Sequence, residues 1–258
     1  MMIKKLGPLG AEIVGINLTD QLDAHHLGRI KEAFLENLVL IFRGIEANPK
    51  NLLSIARKWG KPQKPPVFKG LKNYPEIIQI ENYGKRFHTN AHWHSDVTFE
   101  EFPPDITLLY ALEIPKKGGN TLFSNQYLAY EFLPKSLKKD YKNFKAKHSN
   151  RNILKLVGKD TKNLNSVSHP LFRTHFETNK IALYVTEAFV EGVEGMDEEE
   201  SNKILDILYS QSRKVEYRFE HKWKKGDLVM WDNRCVQHYA VHDYDDQVRT
   251  MYRITIRV

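Results

Sequence analysis

Apolar residues recur at helical spacing over 24–37. Leu27, Ile30 and Phe34, with Leu38 at the end, fall on one side of the predicted helix, and Asp23 is placed to cap its first turn. The unbroken run Leu38-Val39-Leu40-Ile41-Phe42 then reads as a buried strand. Asn48-Pro49 opens a second helix carrying Leu52, Leu53, Ile55, Ala56 and Trp59, stopped by Gly60 and Pro62. From about Ile77 the texture changes to short strands and turns. The strongest strand candidates are 77–80, 107–112, 181–185, 227–231 and 250–258, interrupted by a helix over 197–212 that carries Ile204, Leu205, Ile207 and Leu208.

Many short strands with a few appended helices predict a mainly β protein with flanking α-helices, a jelly roll or related sandwich; alternating βα units are missing. At 258 residues, with no linker, repeat or low-complexity block, residues 1–258 read as one domain. In the last strand Thr250, Tyr252, Ile254, Ile256 and Val258 alternate with Arg249, Met251, Arg253, Thr255 and Arg257, so Arg249 and Arg253 share a face. Arg257 is expected to point outward.

Composition narrows the function. No apolar run approaches the length of a membrane span, Met1-Met2-Ile3-Lys4-Lys5 does not read as a charged-then-apolar leader, and the single cysteine, Cys235, has no partner for an internal disulfide. The expectation is a soluble, cytoplasmic protein with no membrane association, and a homo-oligomer is left open. Net charge is +7, from 39 basic and 32 acidic residues. Its densest stretch, 135–147, is interrupted by acidic and aromatic residues and carries no nucleic-acid motif, so it reads as a solvated face. No nucleic-acid partner is expected; the charge suits attraction of small anions.

The candidate chemistry lies in His94-Ser95-Asp96 and the distant His238. Two imidazoles and a carboxylate are a donor set that holds a divalent iron on one face and leaves the other open. In extended backbone His94 and Asp96 point to one side, but His92 shares that parity, so spacing equally allows a His92/His94 pair. His25, His26, His88, His148, His169, His175 and His221 read as surface or hydrogen-bonded side chains. His242, in an acidic turn, reads as exposed. Thr121 alone reads as a turn-exit residue, Trp231 as core or site lining, and Cys235 as a small buried residue with no mark of a nucleophile.

The segments 91–99 (AHWHSDVTF), 118–123 (GGNTLF) and 226–238 (GDLVMWDNRCVQH), with 6–11 near the start, resemble the signature segments of the taurine dioxygenase and chlorophenoxyacetate dioxygenase family, iron(II)- and 2-oxoglutarate-dependent oxygenases. The resemblance runs from Leu6 to Arg253. It implies a double-stranded β-helix, a cupin-like jelly-roll core, and use of Fe(II), 2-oxoglutarate and O₂. It also implies that His94, Asp96 and His238 are the iron ligands, which decides against His92. Thr121 and Arg249 match the residues that hold the distal carboxylate of 2-oxoglutarate, and Trp231 matches a tryptophan beside the iron. Arg253 matches the arginine that takes the substrate's anionic group, and Asn90 a pocket asparagine.

Elementary chemistry supports these assignments. Three ligands on one face leave positions for a bidentate 2-oxo acid and O₂. Arginine grips a carboxylate through two parallel hydrogen bonds that lysine cannot copy. The implied reaction is hydroxylation of a small organic anion, sulfonate or carboxylate, coupled to decarboxylation of 2-oxoglutarate to succinate and CO₂. The histidine and tyrosine that complete the taurine pocket fall at Pro65 and Phe68, and a pocket serine and phenylalanine fall near Ile153 and Leu154, so taurine itself is not expected. Two other readings use the same donors. One is a zinc hydrolase, which has no use for an Arg249/Thr121 clamp, and the other a non-catalytic cupin-like binding protein.

Overall fold

A computed structural model describes residues 1–19, 22–83, 92–162 and 164–258, apart from the side chains of residues 82 and 83. The described strands are β1 (Met2–Lys5), β2 (Ala11–Val14), β3 (Val39–Phe42), β4 (Lys61–Gln63), β5 (Ile77–Tyr83), β6 (Ile106–Glu113), β7 (Thr121–Asn125) and β8 (Lys145–Ser149). They continue with β9 (Ser166–Pro170), β10 (Phe172–Thr174), β11 (Ile181–Leu183), β12 (Val190–Val193), β13 (Arg218–His221), β14 (Leu228–Asp232), β15 (Val236–Ala240) and β16 (Val248–Arg257). The helices are α1 (Ala24–Asn37), α2 (Pro49–Arg57), α3 (Gln126–Glu131), α4 (Lys135–Tyr141), α5 (Arg151–Leu156) and α6 (Glu198–Ser212).

An eight-stranded sheet in the order β1-β2-β3-β14-β6-β16-β4, with β5 also on β16, forms one wall. The three-stranded sheet β13-β7-β15 faces it, giving the double-stranded β-helix, a jelly roll in the cupin manner. Strand parity explains this arrangement. On β3, β6 and β14 the residues Leu40, Phe42, Leu108, Tyr110, Leu228 and Met230 pack against Ile30 and Phe34 of α1 and Leu52 and Ile55 of α2. Their alternate neighbours Val39, Ile41, Leu109, Val229 and Trp231 pack instead against Phe123 and Val236 of the facing sheet. The uniformly apolar strands are therefore those buried on both faces. A third cluster joins α3 and α6 to β8, β11 and β12 through Ala129, Leu205, Leu208, Ala146 and Val193.

The predicted helices form: the Asp23 carboxylate accepts the His26 N–H as expected, and Asp197, read as the first residue of its helix, instead caps it by accepting the N–H of Glu200. Several boundaries differ. Leu38 does not begin the strand; it ends α1 in the left-handed region at φ 66°, with its N–H on Phe34 O, and the strand starts at Val39. Asp227 precedes β14 and binds Arg43, and Tyr184 and Val185 lie beyond β11. Ile207 is 48% exposed on the outer side of α6, because Ile204, Leu205 and Leu208 already complete the buried stripe. Truncating Phe34, 2% exposed between α1 and the sheet, is expected to cost about 3–5 kcal/mol. Urea denaturation of Phe34→Ala checks this by its midpoint.

Candidate active site

His94 and His238 meet because their backbones pair. His94 N donates to His238 O at 3.1 Å and His238 N to His94 O at 2.8 Å, an isolated bridge that adds the 92–96 segment to the free side of β15. The pairing sets the two rings 4.1 Å apart between centroids. Asp96 completes the group: one ligand atom from each of the three lies within 4.8 Å of the others, and all three residues are buried. His92 stays outside the cluster and is exposed, but its carbonyl accepts from His94 Nδ1 at 2.8 Å. That bond places the His94 proton on Nδ1 and leaves Nε2 unprotonated, 3.8 Å from Asp96 Oδ1.

The electrostatics favour a cation held by neutral imidazoles. Burial pushes the pKa of His94 down, and burial together with His94 takes His238 down to about 3. Burial alone would raise Asp96, but Arg253, with His238, His94 and the Thr107 hydroxyl, holds it at about 2. Arg253 Nη1 lies 3.1 Å from Asp96 Oδ1, and Thr107 donates to Oδ2 at 2.7 Å. His238 Nδ1 is buried with no partner among the described residues. Two neutral imidazoles and an ionised carboxylate, oriented by their neighbours and converging on one point, fit a divalent iron.

The backbone around Asp96 departs from an extended strand. Ser95 does point away, donating to Val236 O, but Asp96 enters a turn in which Val97 takes φ 56° and its carbonyl accepts from Glu100 N. A β-branched residue is a true outlier in this region. The turn is held by Asp96 N on Asn233 Oδ1 and by Thr98, whose Oγ1 lies 2.8 Å from His148 Nδ1.

Arg249 and Thr121 sit on the two facing sheets. On β7 Thr121 shares the inward parity of Phe123, which lies opposite His238 in register. Its Oγ1 accepts from Trp223 Nε1 at 2.9 Å, which frees its own proton for another acceptor. Arg249 is buried, donates Nε to Gly119 O at 3.0 Å and lies beside the Trp223 ring. Burial lowers its pKa to about 10, and no carboxylate pairs with it among the described residues. A buried guanidinium in that state is a site for an anion. The Gly118-Gly119 pair makes the close approach possible: a Cβ on Gly119, at φ 71°, would meet Pro115 at 2.9 Å and Arg249 Cδ at 3.3 Å.

A cavity of about 140 Å³ opens on His94 and Asp96. Arg253 lines it, with Nε buried and unpartnered among the described residues. Its walls are mainly apolar, including Val67, Phe68, Val97, Phe99, Ile153 and Phe189. Phe68 and Ile153 thus stand at the cavity, whereas Pro65 and Leu154 do not line it. Trp231 is core and neighbour at once: it is 1% exposed, and its ring lies 4.6 Å from that of His238. Asn90 lies outside the described residues. Sequence reasoning missed Trp223, Thr107 and Phe189; Thr107 was detectable only as an inward polar residue on an apolar strand.

Among the described residues the other histidines behave as structural groups, though His148, His169, His175 and His221 are buried and not superficial; His88 lies outside the described residues. His242 is half-buried, with Nδ1 3.3 Å from the Tyr244 hydroxyl, a correction to its exposed reading. His175, Asp232 and Cys235 also lie close together. Both ring nitrogens of His175 are engaged, however, Nε2 with Asp232 and Nδ1 with the N–H groups of Glu177 and Thr178, while Asp232 is gripped by Arg234. Burial pushes the Cys235 thiol far up, so it offers no thiolate. That group is a closed structural network.

The family model described as "Taurine catabolism dioxygenase TauD, TfdA family" matches residues 2–255. An alkylsulfatase of Acinetobacter baylyi is 36% identical, over 99% of this chain and 84% of its own length. An alpha-ketoglutarate-dependent sulfate ester dioxygenase of Pseudomonas putida is 29% identical, over 97% and 87%. Among solved structures, a taurine dioxygenase from Burkholderia xenovorans matches with TM-score 0.87 at 30% identity, covering 99% of this chain and 88% of that one. AAD-2 in complex with Mn(II) and N-oxalylglycine matches with TM-score 0.89 at 25% identity, covering 99% and 97%.

The buried histidines set a pH dependence of folding. Burial lowers the pKa of His148 to about 3 and also lowers those of His169 and His221 from 6.5. Above pH 6.5 these rings are neutral whether the chain is folded or not, so their contribution is fully retained. As pH falls the unfolded chain takes up protons that the native state refuses, and stability declines from about pH 6.5 toward the folded values, by up to about 1.4 kcal/mol per pH unit for each ring. His148→Gln, which cannot take up that proton, is expected to flatten the fall in melting temperature between about pH 6.5 and 4.5. Parallel wild-type and variant curves would contradict it.

Proposed function

Because the chain belongs to the taurine catabolism dioxygenase TauD, TfdA family and is an iron(II)- and 2-oxoglutarate-dependent dioxygenase, we propose that it hydroxylates a small organic anion with an apolar tail. In this reading residues 1–258 form one domain of a cytoplasmic enzyme, and His94, Asp96 and His238 hold the iron. Arg249 and Thr121 take the distal carboxylate of 2-oxoglutarate, and Trp231 packs beside the metal ligands. The observation that carries the reading is the pairing of a His-Asp-His group of neutral rings and one ionised carboxylate with a buried, carboxylate-free Arg249. A hydrolase has no use for that arginine, and among the described residues no helix is long and apolar enough to cross a membrane.

Bound iron supplies the oxidising power for C–H cleavage from O₂, with 2-oxoglutarate leaving as succinate and CO₂. The chain's part is placement. Arg249 offers a fork of donors to the cosubstrate carboxylate in a site that excludes water, and Thr121 adds a hydroxyl whose acceptor side is already filled by Trp223. On the substrate side Arg253 Nε, without a partner among the described residues, is open to an anion while Nη1 remains on Asp96.

The cavity walls favour a hydrocarbon chain over a zwitterion. Asp96 is the only carboxylate among the described residues lining the cavity, and Arg253 already neutralises it, so an ammonium group would be buried without a counter-ion. By the family resemblance Phe68, which lines the cavity, falls where taurine-binding relatives carry a tyrosine, and this also weighs against taurine. The names of the A. baylyi and P. putida relatives support a sulfate ester. Hydroxylation of the carbon bearing the ester oxygen gives an adduct that collapses to an aldehyde and hydrogensulfate.

Anaerobic addition of Fe(II) and 2-oxoglutarate is expected to give the visible iron-to-cosubstrate charge-transfer band; a wild-type protein with no band refutes the oxygenase site. Arg249→Lys keeps the charge and loses the fork, and is expected to raise the KM for 2-oxoglutarate about tenfold or more, as read by succinate formation. In a panel of alkyl sulfates, alkyl sulfonates and carboxylates, Arg253→Ala is expected to raise the KM of the preferred anion by about 10- to 100-fold, the loss of one charged hydrogen bond. Unchanged affinity in that variant would remove Arg253 from the anion site.

A further inference from the structure

The hydrogen bonds behind Asp96 can be assigned donor by donor. Trp231 Nε1 and the Asp96 backbone N–H can only donate, and both point to Asn233 Oδ1, at 3.0 and 3.2 Å. They fix the orientation of the Asn233 amide, whose Nδ2 faces Thr107 Oγ1 at 2.7 Å. Nδ2 also can only donate, so it occupies an acceptor position of the threonine. The Thr107 proton is left for Asp96 Oδ2, likewise 2.7 Å away. All four residues are at most 2% exposed, so solvent does not compete for these bonds. Thr107 stands on β6, Trp231 on β14 and Asn233 just after it, so the relay is fastened to the large sheet.

We propose that Thr107, aligned by Asn233, is a positioning residue that makes Asp96 a one-oxygen metal ligand. The Thr107 hydroxyl holds Oδ2 away from the cluster and presents Oδ1, the oxygen 3.8 Å from His94 Nε2. A carboxylate free to rotate has to be ordered as the ion binds, which lowers affinity relative to one already held in place. The relay sets that orientation before any metal arrives. The inference rests on the reading of His94, Asp96 and His238 as the metal ligands, and it extends that reading to residues that do not touch the ion.

The test uses Co(II) alone as the probe, titrated anaerobically into the full chain and followed by its visible absorption and by tryptophan fluorescence. Thr107→Val has nearly the same shape without the proton, and is expected to weaken Co(II) binding about 10- to 100-fold. Thr107→Ser restores the hydroxyl and is expected to stay within about threefold of wild type. Folded Thr107→Val with wild-type affinity overturns the proposal, and so does Thr107→Ser with the same loss as Thr107→Val, because then side-chain volume and not the proton is responsible.

If Thr107→Val does not fold, Thr107→Ala decides. It removes the hydroxyl without adding a buried charge, so Asp96 Oδ2 loses the Thr107 donor. The expected loss is again about tenfold or more, and unchanged Co(II) affinity overturns the proposal. A wild-type protein that binds no Co(II) fails the metal-ligand reading itself, which distinguishes that failure from failure of the relay.

Discussion

Everything at the site depends on one short backbone pairing. The reciprocal bonds between His94 and His238 are the point at which a loop joins the small sheet, and without them the side chains of 94–96 and of β15 have no shared position. Backbone hydrogen bonds are individually modest in net energy, but two of them fix register, and register decides which side chains face inward. The pairing puts the two imidazoles on the same side and lets Asp96 turn in beneath them. The jelly roll supplies the rest: β15 is held by β7, and β7 presents Thr121 two residues from the position opposite His238.

A second constraint is charge in a dry interior. Asp96, Arg253 and Arg249 are buried or nearly so, and isolated charges there are costly. The chain resolves two of them internally, since Asp96 and Arg253 neutralise each other. It leaves Arg249 without a carboxylate among the described residues. Such asymmetry separates a binding site from a structural network: at Asp232 the arginine, histidine and carboxylate satisfy one another and leave no valence for a visitor.

The sequence made some of this legible and hid the rest for definite reasons. Elements with long, strictly periodic patterns, α1, α6 and β16, can be read directly, because one buried face imposes the period. Short ones such as β7, β8 and α3 to α5 carry too few residues for a period to show; β8, α3 and α4 are decided by the tertiary cluster around α6, and β7 by the core between the two sheets. The choice between His92 and His94 could not be made from parity. It depends on which residue pairs with β15, a contact far apart in sequence, and the family resemblance resolved it where spacing did not. Thr107 and Asn233 stayed unseen for the same reason: each looks like an ordinary polar residue until the fold brings it to Asp96. Ile207 shows the converse, an apolar residue placed by pattern whose side the packing did not need.

Val97 carries a consequence for any attempt to improve this protein. It follows Asp96 directly, lines the cavity, and holds a branched side chain in a backbone conformation that glycine or asparagine would adopt at lower energy. Screening for heat resistance alone will therefore reward replacements at this position, and each of them reshapes the wall of the cavity. At this residue durability and selectivity pull in opposite directions, so a library selected only for survival drifts toward a sturdier and less discriminating enzyme.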